Sequence, residues 1–171
     1  MSSLIPLYVP YPTFVNILNL QELPINLQVP AVIMLSIYYK SRILLKALYI
    51  YFLLGLFIIP IFYEGGSLGY IMTPNFGYLI GLIPLIIIVS NTFQKEEISI
   101  SLFFIRAFKG IVLMHITGIT YLILQSLLYN NTNYIFYNIG KLSLSKIPYH
   151  IIIIFPIAII LLLTKKIKFK I

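Results

Sequence analysis

A succession of long apolar segments is the feature that most constrains what this chain can fold into. They cover residues 43–62, 76–90, 110–129 and 147–164, and a shorter apolar segment, 29–39, precedes them. A membrane-spanning helix needs about 20 mostly apolar residues. Hydrophobic residues make up 60% of the chain and charged residues only 9%, which is more apolar surface than a soluble domain can bury. The sequence therefore predicts an all-α integral membrane protein with about five spans in a lipid bilayer.

The basic residues indicate how these spans are oriented. If the lysine-rich C-terminus is cytoplasmic and the spans alternate, ten of the twelve Lys and Arg residues fall inside, and only Lys141 and Lys146 fall outside. Cytoplasmic loops of membrane proteins carry an excess of Lys and Arg. We therefore predict a cytoplasmic C-terminus and attribute the net charge of +8 to topology rather than to nucleic-acid binding. Residues 23–28, 63–75 and 130–146 then lie outside, as loops that could roof a binding cavity.

Residues 61–81 form the glycine-dense part of the chain and lie between two apolar segments. Gly65, Gly66 and Gly69 allow the backbone to approach a ligand closely. Gly77 and Gly81 are one helical turn apart, a spacing that lets a neighbouring membrane helix pack closely. This pattern indicates a binding loop at the mouth of a helix bundle, and it is equally compatible with a flexible hairpin between two spans.

Groups that could carry out chemistry are nearly absent from the predicted spans. The chain has no cysteine and no aspartate, and its two histidines are His115 and His150. Ion-driven carriers need ionisable groups inside the membrane, and no such set is visible, so we predict neither an enzyme nor a cofactor or metal site. His115 is interpreted as a hydrogen-bonding core residue, and His150 as a candidate ligand contact. A solute-binding subunit powered by partner proteins and a purely structural membrane subunit both fit these observations.

Four runs of the sequence resemble the BioY family, the biotin-binding S components of energy-coupling factor (ECF) transporters. They are LPINLQVPAV (23–32), YFLLGLFIIPIFYEGGSLGY (51–70), TPNFGYLIGLIP (73–84) and HITGITYL (115–122). The middle runs look most like cyanobacterial and plastid-type members. The resemblance implies a helical S-component bundle in a bacterial plasma membrane or plastid inner membrane. Such a protein captures biotin from outside and delivers it inward with an ECF T component and ATPase subunits.

The resemblance also implies domain limits and departures from the family pattern. We expect an irregular segment at 1–22, the membrane domain at 23–165 and a basic cytoplasmic tail at 166–171. The first family helix has no clear counterpart in 1–23, so we expect it to be short or missing. Many members carry P-G-D-x-x-K before the last helix, whereas this chain has PYHIII at 148–153. His150 is a possible substitute for the lost acid and lysine.

A set of candidate substrate-binding residues follows from both kinds of reasoning. The resemblance carries over Gln28, Gly65, Gly66, Gly69, Tyr70, Gly77 and Tyr78, and Asn75, Lys141, Lys146 and His150 are added as polar or charged groups on the outer side. Lys141, Lys146 or His150 is the expected partner of the biotin carboxylate. An S component for another vitamin, or a non-transporting structural subunit, remains the alternative.

Overall fold

In the part of the chain that the structure describes, eight α-helices form the bundle and one pair of short strands precedes them. The computed structural model describes residues 8–11, 19–22, 27–62, 67–93, 99–129 and 132–164. Strands β1 (Tyr8–Tyr11) and β2 (Asn19–Glu22) pair antiparallel within the segment predicted to be irregular. The helices are α1 Gln28–Tyr38, α2 Ser41–Leu53, α3 Pro74–Ile80, α4 Leu82–Phe93, α5 Ile100–Tyr129, α6 Thr132–Ile139, α7 Ile147–Ile152 and α8 Ile154–Leu163. The predicted all-α membrane bundle is thus confirmed, and the strand pair precedes it.

Several helices join into longer apolar rods. A wider, π-type turn at Leu54–Ile58 extends α2, and another at Gly140–Leu144 links α6 to α7. In the described part of the chain, four helical segments are long and apolar enough to cross a membrane: Ser41–Ile58, Pro74–Asn91, Ile100–Leu128 and Tyr134–Leu163. Helix α1 has 11 residues, or about 16 Å, which is roughly half of a hydrocarbon core. The chain therefore has four full candidate spans and one short apolar helix.

The prediction of a polar loop at 130–146 is wrong for the part that the structure describes. Residues Thr132–Ile139 are helical, and the helix continues through the π-type turn to Leu144. The polar residues there suggested a loop, but two of their side chains donate hydrogen bonds to backbone carbonyls four residues earlier in the same segment. The Asn138 amide donates to the Tyr134 carbonyl at 2.8 Å, and the Ser145 hydroxyl donates to the Lys141 carbonyl at 2.6 Å.

Helix α5 forms the centre of the bundle and contacts α3, α4, α6, α7 and α8. Its buried apolar residues recur every three or four positions, as expected for one face of a helix. They are Phe103, Ala107, Ile111, Met114 and Leu122. Arg106 and Lys109 lie on the exposed side of the same helix.

The close packing predicted for Gly77 and Gly81 is confirmed, and the neighbouring helix is α5. A Cβ atom added at Gly77 would lie 2.4 Å from the Cβ of Tyr121, and one added at Gly81 would lie 2.6 Å from the carbonyl oxygen of Met114. Non-bonded carbon atoms prefer separations of about 3.5–4.0 Å. Only glycine therefore allows α3 and α5 to approach this closely, and their contact fixes the position of the residues beside it.

Candidate functional site

A small cavity brings together six of the predicted site residues. It is lined by Gln28 from the start of α1, Tyr70 from the 3₁₀ turn Leu68–Met72, Asn75 and Tyr78 from α3, and Lys146 and His150 at and within α7. These residues are separated by up to 122 positions in sequence (150 − 28). Their convergence creates one polar space, and their role as ligand contacts remains a prediction.

The remainder of the cavity wall is apolar. The rest of the described lining is Val29, Leu79, Leu82, Met114 and Leu142, and none of the described lining residues is acidic. The cavity volume is about 50 Å³, enough for only a few water molecules. An apolar wall with a few convergent polar groups is the usual composition of a small-molecule site.

Helix α1 adds a polarised end to this space. Gln28 and Val29 line the cavity and are also the first two residues of α1. Among the described residues, no side chain caps this end of the helix. The N-terminus of a helix carries a partial positive charge and exposed N–H groups. The start of α1 and Lys146 therefore both favour a negatively charged ligand group in the same cavity.

A hydrogen-bonded set of four side chains lies behind the cavity and is called the polar network below. The Tyr78 hydroxyl is 2.7 Å from the Ser143 hydroxyl oxygen. Ser143 is in turn 3.1 Å from Nδ1 of His115. Nε2 of His115 is 3.1 Å from Nδ1 of His150. His115, Ser143 and His150 are 3%, 1% and 2% exposed, so the network crosses the bundle interior from α3 to α7.

One atom of this network has no partner. Nε2 of His150 is buried and makes no hydrogen bond within the described part of the chain. A buried polar atom left unsatisfied costs about 1–3 kcal/mol. Because Nδ1 of His150 is already bonded to His115 and His150 lines the cavity, Nε2 is the atom that His150 can offer to a ligand.

Sequence reasoning missed the connection between the two histidines. It treated them as separate because they lie in different predicted spans, yet they are hydrogen-bonded across α5 and α7 although 35 positions apart. A local signal was available, because Ser143, Lys146 and His150 are three and four residues apart and so tend to share a helix face. No local pattern indicated that His115 would meet that face.

Two hydrogen bonds from α5 hold the segment that carries Tyr70 and Asn75. The Tyr121 hydroxyl donates to the Ile71 carbonyl, and the Gln125 amide donates to the Thr73 carbonyl at 3.4 Å. The Tyr70 ring also stacks on Phe62, with centroids 4.4 Å apart. These contacts fix the turn that forms one wall of the cavity.

The other predicted site residues lie elsewhere. Gly69 is exposed next to Ser67, Gly77 packs on Tyr121, and Lys141 is exposed on the last span; none of the three lines the cavity. Gly65 and Gly66 fall outside the described residues. Of the two lysines predicted to be external, Lys146 lines the cavity and Lys141 does not.

The cavity lies at the end of the bundle opposite the basic cluster around Lys40 and Arg42. The Ser41 hydroxyl donates to the Asn91 side chain at 3.3 Å, which places the start of α2 beside the end of α4. The cavity is lined instead by the first residues of α1 and α3. The two features therefore lie at opposite ends of α1 and of the helical segment Pro74–Asn91.

Comparison with known proteins identifies the family of this chain. A model of the BioY family matches residues 9–169, which is nearly the whole chain. The chain belongs to the BioY family. No curated protein and no solved structure has significant similarity to this BioY-family chain. The family consists of membrane S components of ECF transporters that capture biotin-type substrates, so the chain is a multi-pass membrane component of a transporter and not an enzyme.

Proposed function

We propose that this BioY-family chain binds biotin from the outer side of the membrane and delivers it inward together with an ECF T component and its ATPases. The observation that carries the proposal is the cavity, which combines neutral polar groups with one lysine at the end of the bundle away from the basic cluster. With basic segments on the cytoplasmic side, the cavity belongs to the outer half and the C-terminus is cytoplasmic.

Lys146 is the proposed partner of the biotin carboxylate. It lines the cavity and is partly buried, and none of the described residues that line the cavity with it is acidic. The polarised start of α1 faces the same space. A charge-assisted hydrogen bond is stronger than a neutral one, so a carboxylate would gain from both groups.

The ureido group of biotin requires neutral donors and acceptors. Gln28, Asn75 and Tyr78 supply amide and hydroxyl groups in the lining, and His150 adds its unpaired Nε2. The apolar residues around them suit the ring and the alkyl chain of the vitamin. The lost acid and lysine of the family motif are thus replaced by a lysine and a histidine four residues apart on one helix face.

Biotin binding requires the cavity to widen. Its volume of about 50 Å³ is well below the ≈300–1,000 Å³ of typical ligand pockets. Part of the binding energy would therefore be used to move neighbouring groups, which links occupancy to a change in shape. Such a change gives the T component a way to distinguish the loaded subunit from the empty one.

Isothermal titration of Lys146→Gln tests the proposal. Biotin binding should weaken about tenfold or more, since a hydrogen bond to a charged group contributes ≈1.5–3 kcal/mol. Biotin amide, which has no carboxylate, should bind this variant and the wild type alike. Lys141→Gln is the matched control because Lys141 is exposed and lies outside the cavity lining, and it should leave both affinities unchanged.

Equal weakening of both ligands by Lys146→Gln would remove this lysine as the carboxylate partner. If wild-type protein purified from biotin-fed cells carries no biotin by mass spectrometry and binds none in titration, biotin is not its substrate. A thermal-shift response to a different vitamin would then identify an S component of other specificity, and a flat response to all vitamins would identify a structural subunit.

A further inference from the structure

The polar network has two ends at the cavity and a middle that lies outside the cavity lining. Tyr78 and His150 line the cavity, whereas Ser143 and His115 do not. The interior pair nevertheless connects the two ends through continuous hydrogen bonds of 2.7, 3.1 and 3.1 Å. The protonation of one end therefore affects the other.

Two arrangements of the network use the Ser143 proton in a hydrogen bond within the network. A third arrangement, in which Tyr78 and His115 both donate to Ser143, leaves that proton without an acceptor among the described residues. A neutral imidazole has one donor and one acceptor nitrogen, and a hydroxyl has a single proton to donate. If Tyr78 donates to Ser143, then Ser143 donates to His115 and His115 donates to His150. The Nε2 atom of His150 then carries a proton, and the Tyr78 oxygen is left as an acceptor.

The opposite direction reverses both ends at once. If His150 donates from Nδ1 to His115, then His115 donates to Ser143 and Ser143 donates to Tyr78. The Nε2 atom of His150 then accepts, and the Tyr78 hydroxyl donates. In both of these arrangements the two ends of the network are one donor and one acceptor. Two acceptors arise only in the third arrangement, which leaves the buried Ser143 proton unsatisfied.

We propose that the polar network is a specificity-determining element that selects a neutral ligand group carrying both a donor and an acceptor, such as a cyclic urea. This inference rests on the proposed function and deepens it. Ser143 and His115 are positioning residues, because they couple the two ends without touching the ligand. A ligand group with donors alone leaves Tyr78, His150 or the Ser143 proton unsatisfied, and an unmet buried polar group discriminates strongly.

The first test needs no ligand. The chain contains only two histidines, so ¹⁵N-histidine NMR of the full-length protein in detergent or nanodiscs resolves both rings. Either direction of the network places the proton on the same nitrogen in both rings: both on Nε2, or both on Nδ1. Matching tautomers support the network. One ring protonated at Nδ1 and the other at Nε2 would rule out the bond between them and overturn the inference.

The second test compares biotin with 2-iminobiotin, in which the urea oxygen is replaced by an imino nitrogen. This head group has donors alone when it is protonated. Ser143→Ala should remove the coupling between the two ends of the polar network. The Tyr78 oxygen and Nε2 of His150 can then both accept hydrogen bonds from the ligand. We expect the preference for biotin over 2-iminobiotin to fall about tenfold, because each unmet buried group contributes about 1–3 kcal/mol. The preference for biotin over biotin amide should not change.

Ser145→Ala is the matched control, because Ser145 is exposed and bonds only to the Lys141 carbonyl among the described residues. It should leave the preference for biotin over 2-iminobiotin and the preference for biotin over biotin amide unchanged. A purely structural role for Ser143 would weaken all three ligands equally, and that result would overturn the inference. If Ser143→Ala does not fold, Tyr78→Phe removes one end of the network and should lower the same preference.

The two tests separate the inference from the function on which it rests. Failure of wild-type protein to bind biotin would refute the proposed function and the ligand assigned to the network, whereas the tautomer measurement would still judge the network itself. Normal biotin binding with an unchanged preference in Ser143→Ala would refute the network's role in selection and leave the proposed function intact.

Discussion

Replacing Gly77 with alanine should destabilise the bundle, and the structure gives the size of the effect. The added Cβ would lie 2.4 Å from the Cβ of Tyr121, whereas carbon atoms in contact are about 3.5–4.0 Å apart. Helices α3 and α5 would therefore have to separate by about 1 Å. Overpacking of this kind costs about 1–3 kcal/mol, and the Tyr121 atom concerned is adjacent to the backbone, so it cannot simply rotate away.

Gly140→Ala is the matched control. Nothing lies within 4 Å of a Cβ added there. Both glycines are helical, so both variants gain about 0.5–1 kcal/mol from replacing glycine within a helix. That gain is the same in both variants, so the difference between their free energies of unfolding is the cost of overpacking alone. At about 2–4 °C per kcal/mol, Gly77→Ala should unfold roughly 2–12 °C below Gly140→Ala.

Thermal unfolding in one detergent, followed by far-UV circular dichroism, measures this difference directly. Equal midpoints for the two variants would show that α3 and α5 do not pack at this distance. In that case the close glycine contact between α3 and α5 would not be what positions Tyr78 and Asn75.

Two further predictions concern topology and the turn beside the cavity. The chain has no cysteine, so single cysteines introduced at Ser67 and Ser99 can be labelled with a membrane-impermeant reagent. The cysteine at position 67 should react from outside and the one at position 99 from the cytoplasm. The reverse pattern would show that the proposed orientation is inverted. Tyr121→Phe should weaken biotin binding by roughly 2–10-fold in isothermal titration, because the hydroxyl bond to the Ile71 carbonyl contributes about 0.5–1.5 kcal/mol to holding the turn. An unchanged dissociation constant would show that the position of this turn does not matter to binding.

The structure shows where the residues that depart from the family motif before the last helix lie. Lys146 precedes the expected motif at 148–153, and His150 lies within it, yet both reach the same cavity. Lys146 lies seven positions (153 − 146), or about two helical turns, before the position of the motif lysine. A neutral imidazole, supported by His115 and Ser143, occupies the position that carries an acid in many family members.

The sequence by itself determined the class of fold and the close glycine contact. Apolar segments of membrane-spanning length predict helices because a bilayer offers no other partner for backbone polar groups. The spacing of Gly77 and Gly81 predicts a close neighbour because both lie on one helix face. The resemblance to the BioY family also indicated Gln28, Tyr70 and Tyr78, and Asn75 was added as a polar group on the predicted outer side. These are local properties, and they can be read without knowing which helices meet.

The tertiary structure decided which side chains share the cavity. It separated Lys146 from Lys141, extended a helix through residues predicted to form a loop, and joined His115 to His150 across 35 positions. Each of these outcomes depends on the register between α5 and the last span. That register is set by packing over the length of both helices. Local spacing contains no information about it, because the free energy of packing depends on residues that are distant in sequence.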